Sequence, residues 1–254
     1  MTDFDLIDRG VGTVALDSWE QYGEFVSEAL RGGLGDSSIQ DWVFRGHASD
    51  DYKLVPSLDR QWGGLAPDVR LDLYRRTLQT LRESGTLEMP SGASDSVVGG
   101  ILQHHGAPTR LLDWTRSPYV AAYFAVLDPP ARPEDEPVEA CAIWALNRKS
   151  SLWKAQESVV LMRADYAANE RARAQRGYFS HNMTLEPDLE VIIKQYHERQ
   201  PGISCVKITL PREDSGIALR EMELMGIHAY AMFPGVEGAC RHAFFRSQIS
   251  LGLV

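Results

Sequence analysis

Gln103-His104-His105-Gly106-Ala107-Pro108-Thr109-Arg110-Leu111-Leu112-Asp113-Trp114-Thr115-Arg116-Ser117-Pro118, running into Tyr119-Val120-Ala121-Ala122-Tyr123-Phe124-Ala125-Val126, decides how this chain is read. Gly106 suits a left-handed cap on a preceding helix, and Pro108 stops continuation. Arg110 to Trp114 predicts a short buried strand, because Leu111 and Leu112 are too apolar for a solvated loop. Ser117 followed by Pro118 is an N-cap with proline at the first helical position. The following helix is apolar on nearly all sides, as a core helix is. A helix end, a buried strand and a buried helix start thus meet in one stretch, with charged side chains at the joins. An Arg110–Asp113 ion pair alone would be a structural device. So many polar groups between apolar flanks are costly to bury unless satisfied or used, and the cluster reads as a site.

The remaining composition bounds the answer. The chain has 254 residues, 44% hydrophobic and 24% charged, which suits a globular α+β domain with a sizeable core. A formal net charge of −9 gives no overall basic field for nucleic acid, though it leaves room for a local basic cleft. Three widely spaced cysteines, Cys141, Cys205 and Cys240, predict no disulfide partner and a reducing, cytoplasmic setting. Zinc-type ligand spacings are lacking, and neither an export segment nor a membrane span is expected.

Outward from the central stretch, residues 1–17 read as a polar tail. Ser18 to Gln21 is a capping-box start to a helix over about 18–30 with an apolar stripe, packed on the core. Asp41 to Phe44 predicts a strand that turns at Gly46, delivering Arg45 at its end. Tyr52 to Leu58 is extended, with Pro56 barring a central strand. Asp68 to Leu81 is an amphipathic helix whose Arg70, Arg75, Arg76 and Arg82 form a solvated face. Ser91 to Gly100 reads as a small-residue loop, and Asp128 to Pro137 as an acidic, proline-rich one. Strands are expected at Cys141 to Leu146, Val159 to Met162 and Ile203 to Leu210. Helices are expected at Tyr166 to Ala174, Ser215 to Met225 and Glu237 to Phe245. Short strands interleaved with helices, without a linker or repeat, predict a single α+β domain over 1–254.

Three groups of residues resemble the FRG domain family: Phe44-Arg45-Gly46; the block Gln103 to Thr115 with Ser117-Pro118 and Ala122-Tyr123-Phe124-Ala125; and Arg171 with Gln175, Gly177 and Phe179. Gly226-Ile227, Phe233-Pro234 and Gly238 resemble its C-terminal pattern, so the likeness runs over roughly residues 40–245. The resemblance implies an ADP-ribosyltransferase-like split β-sheet core with surrounding helices and NAD as cofactor. The family is found chiefly in bacteria and phages, and some members sit in toxin or phage-defence settings, which implies a macromolecular target that the sequence does not name.

In such an enzyme, Arg45 would fork onto NAD phosphates, with Gly46, Gln103 and Arg110 beside it. Thr109, Thr115 or Ser117 would order the site, and Tyr123 or Tyr119 would stack on the nicotinamide. An active transferase carries glutamate where this chain has Gln175, so the negative charge at the scissile bond would fall to Asp113, Glu170 or Glu186.

Two other classes compete. A non-catalytic module would bind NAD, ADP-ribose or a nucleic-acid end through Arg45, His104, Arg110 and Arg116. A hydrolase would use His104 or His105 as general base with Asp113 orienting it. The neutral Gln175 favours binding, and the paired histidines favour chemistry. His47, His181, His197, His228 and His242 read as structural or exposed. Arg45, Arg110 and Asp113 are expected to line one cleft.

Overall fold

The computed structural model describes residues 4–85, 92–127, 138–155, 159–164, 175, 177–198 and 201–251. The loop expected at Asp128 to Pro137, the helix expected at Tyr166 to Ala174, and Glu170 and Arg171 lie outside them.

The described chain is a mixed α+β fold around one sheet whose central strands are buried on both faces. Its eight strands are β1 (Leu6–Asp8), β2 (Val11–Ala15), β3 (Trp42–His47), β4 (Leu111–Thr115), β5 (Ala140–Asn147), β6 (Val159–Arg163), β7 (Gly177–Asn182) and β8 (Cys205–Pro211). The order is β1-β2-β8-β5-β3-β4-β7-β6. Neighbours are antiparallel except β2 and β8. One junction is different. β3 pairs with β5 along its whole length, from Trp42 to His47, and β4 pairs with β7 from Leu111 to Thr115. β3 and β4 touch at a single pair, Phe44 opposite Thr115. The strands form one sheet pinched at that seam, and the split core that the resemblance implies goes beyond this topology.

Both faces are covered. Trp42, Phe44, Ile143, Val206 and Ile208 pack under helices α1 (Trp19–Gly32) and α5 (Pro118–Val126). Val43, Trp144, Leu146, Leu112 and Trp114 pack on the other side, with Leu189, Ile192 and Ile193 of a helix over Leu189–His197. The period of two along β3 and β5 thus feeds two cores.

α5 starts as its sequence predicts. The Ser117 hydroxyl accepts from the Val120 amide at 3.3 Å, and Pro118 occupies the first turn. Its backbone lies on Gly46. A Cβ there would stand 2.0 Å from the Ala121 oxygen and 2.6 Å from the Ala125 nitrogen. This corrects the expected turn. Gly46 is inside β3, opposite Ile143, and lacks a side chain because a helix backbone takes that space.

Other departures have equally local causes. The tail expected to be polar contains β1 and β2, because Val11 and Val14 pair with β8 and are buried. The extended stretch ends at Pro56, which caps α2 (Ser57–Gln61). The loop expected up to Gly100 is largely helix α4 (Asp95–His104), capped by the Ser94 hydroxyl on Val97. In this helix Gly99 admits the Tyr74 hydroxyl of α3 (Pro67–Glu83), 2.4 Å from where a Cβ would be. His105 then caps α4, and Gly106 takes the left-handed conformation read from the sequence, with φ 81°.

Arg70 is not on a solvated face. Its Nε donates to Asp59 Oδ1 at 3.0 Å, with the Asp59 side chain 1% exposed. Arg110, fully buried, donates to the same carboxylate through Nε at 2.8 Å and Nη2 at 3.2 Å, and through Nη1 to the Thr184 carbonyl at 2.7 Å. An Arg70–Asp59–Arg110 triad therefore ties α2, α3 and the start of β4 together.

Removing one member of a buried ionic group leaves the others uncompensated. Asp59→Asn should cost about 3–5 kcal/mol in denaturant unfolding. Arg75→Ala on the exposed side of α3 should stay within about 0.5 kcal/mol. Equal effects would remove the triad from the stability of the fold.

Candidate functional site

A cleft of about 370 Å³ opens where β3 and β4 part. Arg45 and Gly46 line it from β3, Asp113 and Thr115 from β4, and Gln103 and His104 from α4. Gln175 and the aromatic Phe124, Tyr178 and Phe179 complete the wall.

Arg45 is its fixed cation. Its side chain is 18% exposed. Nε donates to His47 Nε2 at 3.0 Å, and Nη1 donates to the Asp113 carbonyl oxygen at 2.9 Å. Among the described residues no acceptor meets Nη2. The charge is desolvated, which draws the Arg45 pKa down from its ordinary value, while the nearby Asp113 carboxylate opposes that shift.

His47, expected to be structural or exposed, is structural: it is buried and holds the arginine. Its Nδ1 lies 3.1 Å from the Tyr52 carbonyl oxygen, which can only accept. The ring proton is therefore on Nδ1, and Nε2 is left to accept from Arg45. Burial, then the neighbouring guanidinium, pushes the His47 pKa down to about 3, so the ring stays neutral. The signal was in the sequence: residues two apart on a strand share a face, and His47 follows Arg45 by two.

Asp113 is the cleft's exposed carboxylate, with 62% of its side chain accessible. Gln103 Nε2 donates to Oδ1 at 2.7 Å, and Oδ2 is 3.9 Å from Arg45 Nη1. Thr109, itself buried, donates its hydroxyl to Gln103 Oε1 at 2.5 Å. Gln175 donates its amide to the Met232 carbonyl at 3.1 Å. His104 is exposed at the rim, edge-on to His105 with ring centroids 5.1 Å apart.

Arg45 and Asp113 share the cleft as expected; Arg110 does not join them. Its guanidinium is turned to Asp59, which lies just past the Tyr52–Leu58 stretch and carries no local sequence signal of burial. Ser117 is committed to capping α5, with its amide on Thr115 Oγ1 at 3.1 Å. Tyr123 is buried against Phe124 rather than facing the cleft, with ring centroids 5.7 Å apart. Glu186 accepts from the Asp188 amide and does not line the cleft. Among the described residues, no group of three or more His, Cys, Asp or Glu side chains is placed to hold a metal ion. Among them also, no helix is long and apolar enough to cross a membrane.

Residues 40–134 match the FRG domain. The FRG match takes in β3, β4, α2 to α5, and the cleft residues Arg45, Gln103, His104, Asp113 and Thr115. Gln175 and the aromatic wall on β7 lie beyond it. No curated protein and no solved structure matches the chain.

Buried neutral histidines make the chain acid-sensitive. His181, whose Nδ1 is 2.8 Å from the Ser96 hydroxyl, has its pKa lowered to about 4 by burial. Both folded values, for His47 and His181, lie below the ordinary 6.5. Between those values the unfolded chain binds more protons, so their contribution to stability is intact above pH 6.5 and is lost as the pH falls toward 3 to 4. Unfolding free energies at pH 7, 6 and 5 should decline, and His47→Gln should flatten the decline. A pH-independent wild type contradicts the assignment. Asp113→Asn, at an exposed position, should leave stability within about 0.5 kcal/mol.

Proposed function

We propose that the cleft binds NAD or ADP-ribose by the diphosphate, and that binding rather than ADP-ribosyl transfer is its work. The observation that carries this reading is Arg45. A guanidinium held on two sides by a histidine and a carbonyl, with its outer nitrogen open to the cleft, matches the oxygens of a diphosphate. Phe124, Tyr178 and Phe179 offer aromatic faces for a base or nicotinamide ring. The FRG match supports the ligand class through the ADP-ribosyltransferase-like fold that the family resemblance implies.

Chemistry at the nicotinamide bond needs a negative charge beside the developing oxocarbenium ion. Gln175 is neutral, and its amide is engaged by the Met232 carbonyl. Asp113 is charged, but the Arg45 guanidinium 3.9 Å away offsets its field. Both favour retention of the ligand over cleavage.

Calorimetry with NAD and ADP-ribose at matched ionic strength tests the reading. Loss of a charge-assisted hydrogen bond is worth roughly 1.5–3 kcal/mol, so Arg45→Ala should weaken both ligands about ten- to a hundredfold. Arg45→Lys should recover little, since it keeps the charge and loses the fork. Absence of binding at millimolar concentration rejects the reading. Nicotinamide release by wild type, lost in Asp113→Asn, would replace it with a transferase or glycohydrolase.

A further inference from the structure

The Thr109–Gln103–Asp113 chain of hydrogen bonds has one consistent orientation. A carboxylate only accepts, so the Gln103 nitrogen must face Asp113, which turns its oxygen to Thr109 and makes the threonine hydroxyl the donor. Thr109 in turn accepts from the Leu111 amide at 3.3 Å, which anchors the hydroxyl to the first residue of β4. Asp113 is thereby held with Oδ1 occupied, while Oδ2 is exposed beside Arg45 at 3.9 Å, beyond hydrogen-bond range. The cleft thus presents a fixed donor and a fixed acceptor side by side. A ligand that satisfies both carries an anionic oxygen for Arg45 and, a few atoms away, a hydroxyl that donates to Asp113.

We infer that Asp113 recognises the ribose hydroxyls of the adenosine half of a dinucleotide, and that the chain thereby selects ligands with a free 2′-hydroxyl over those with a 2′-phosphate. This rests on the diphosphate reading of Arg45 and adds the adjoining subsite. A carboxylate accepts from the vicinal hydroxyls of ribose and repels a phosphate placed there. Gln103 and Thr109 are positioning residues: they touch Asp113 or each other rather than the sugar. Their pairing spends neither of the two features that a ligand needs, the open Oδ2 and the open Arg45 nitrogen.

NAD and NADP differ only in that phosphate, and calorimetry on the full chain separates the cases. Wild type should bind NAD at least about tenfold tighter than NADP, the scale set by a hydrogen bond to a charged group. Asp113→Asn should weaken NAD and strengthen NADP until the two are within about threefold of each other. Gln103→Leu and Thr109→Val should move the same ratio in the same direction, with melting temperatures showing that each variant is folded. A residue that only supported the fold would change both affinities together and leave the ratio alone. Arg45→Ala should weaken both ligands and keep the ratio. Equal affinities in wild type, or a ratio untouched by Asp113→Asn, overturn the ribose assignment while the diphosphate reading stands. If neither dinucleotide binds, both fall.

Discussion

Asp59 is the point from which this structure is braced. Its buried carboxylate takes Arg70 from one side and Arg110 from the other, so α2, α3 and the lead-in to β4 meet on one charge. Two guanidiniums around one carboxylate leave a net positive charge that carbonyl oxygens must soften. Arg70 Nη1 donates to Leu65 at 2.9 Å and to Gly63 at 3.3 Å, while Arg110 reaches Thr184. Such an arrangement is costly to desolvate, and its value is in register: it fixes where β4 begins, and so where Asp113 points. The backbone agrees, since the Thr109 carbonyl accepts from the Leu58 amide and the Thr109 amide donates to the Ser57 hydroxyl.

The seam between β3 and β4 turns that bracing into a cleft. Strands that stay paired leave no room between them, and these two part after one pair. Side chains that would otherwise be covered by a neighbouring strand are left at the opening. Arg45 then bridges the gap in place of the missing ladder, by donating to the Asp113 carbonyl. One side chain thus closes the backbone's hydrogen-bond account at the seam and presents charge to the cleft.

The elements that followed from local chemistry were legible in the sequence. The capped start of α5, the left-handed Gly106, the burial of Leu111, Leu112 and Trp114, and the helix opened by Ser18 all depend on neighbours in the chain. The failures were at a distance. Arg70 and Arg110 read as a solvated cation and a site residue because their shared partner, Asp59, is brought up by packing, and nothing in the sequence marks an aspartate as buried. Gly46 read as a turn because a glycine after a strand usually is one; only the nearness of α5 gives it another purpose. β1 and β2 carry too few apolar residues to be seen alone, and they form because β8 offers an edge. The cleft itself was partly visible: Arg45, Gln103, His104, Asp113, Thr115 and Gln175 converge, while Arg110, Ser117 and Tyr123 serve the frame.

Sheet order bears on what counts as a unit here. The FRG match covers β3 and β4 but neither strand that completes their ladders: β5, which pairs with β3, and β7, which pairs with β4, both lie after residue 134. α5 is likewise fastened from outside, by the Tyr22 hydroxyl donating to the Pro118 carbonyl at 2.8 Å. Cut out by itself, the matched segment would hold two strands joined at one residue pair, with open edges and most of the core on each face of the sheet missing. The portion of the chain that carries the recognisable motif is an insert in a frame, and the frame is written in sequence on both sides of it.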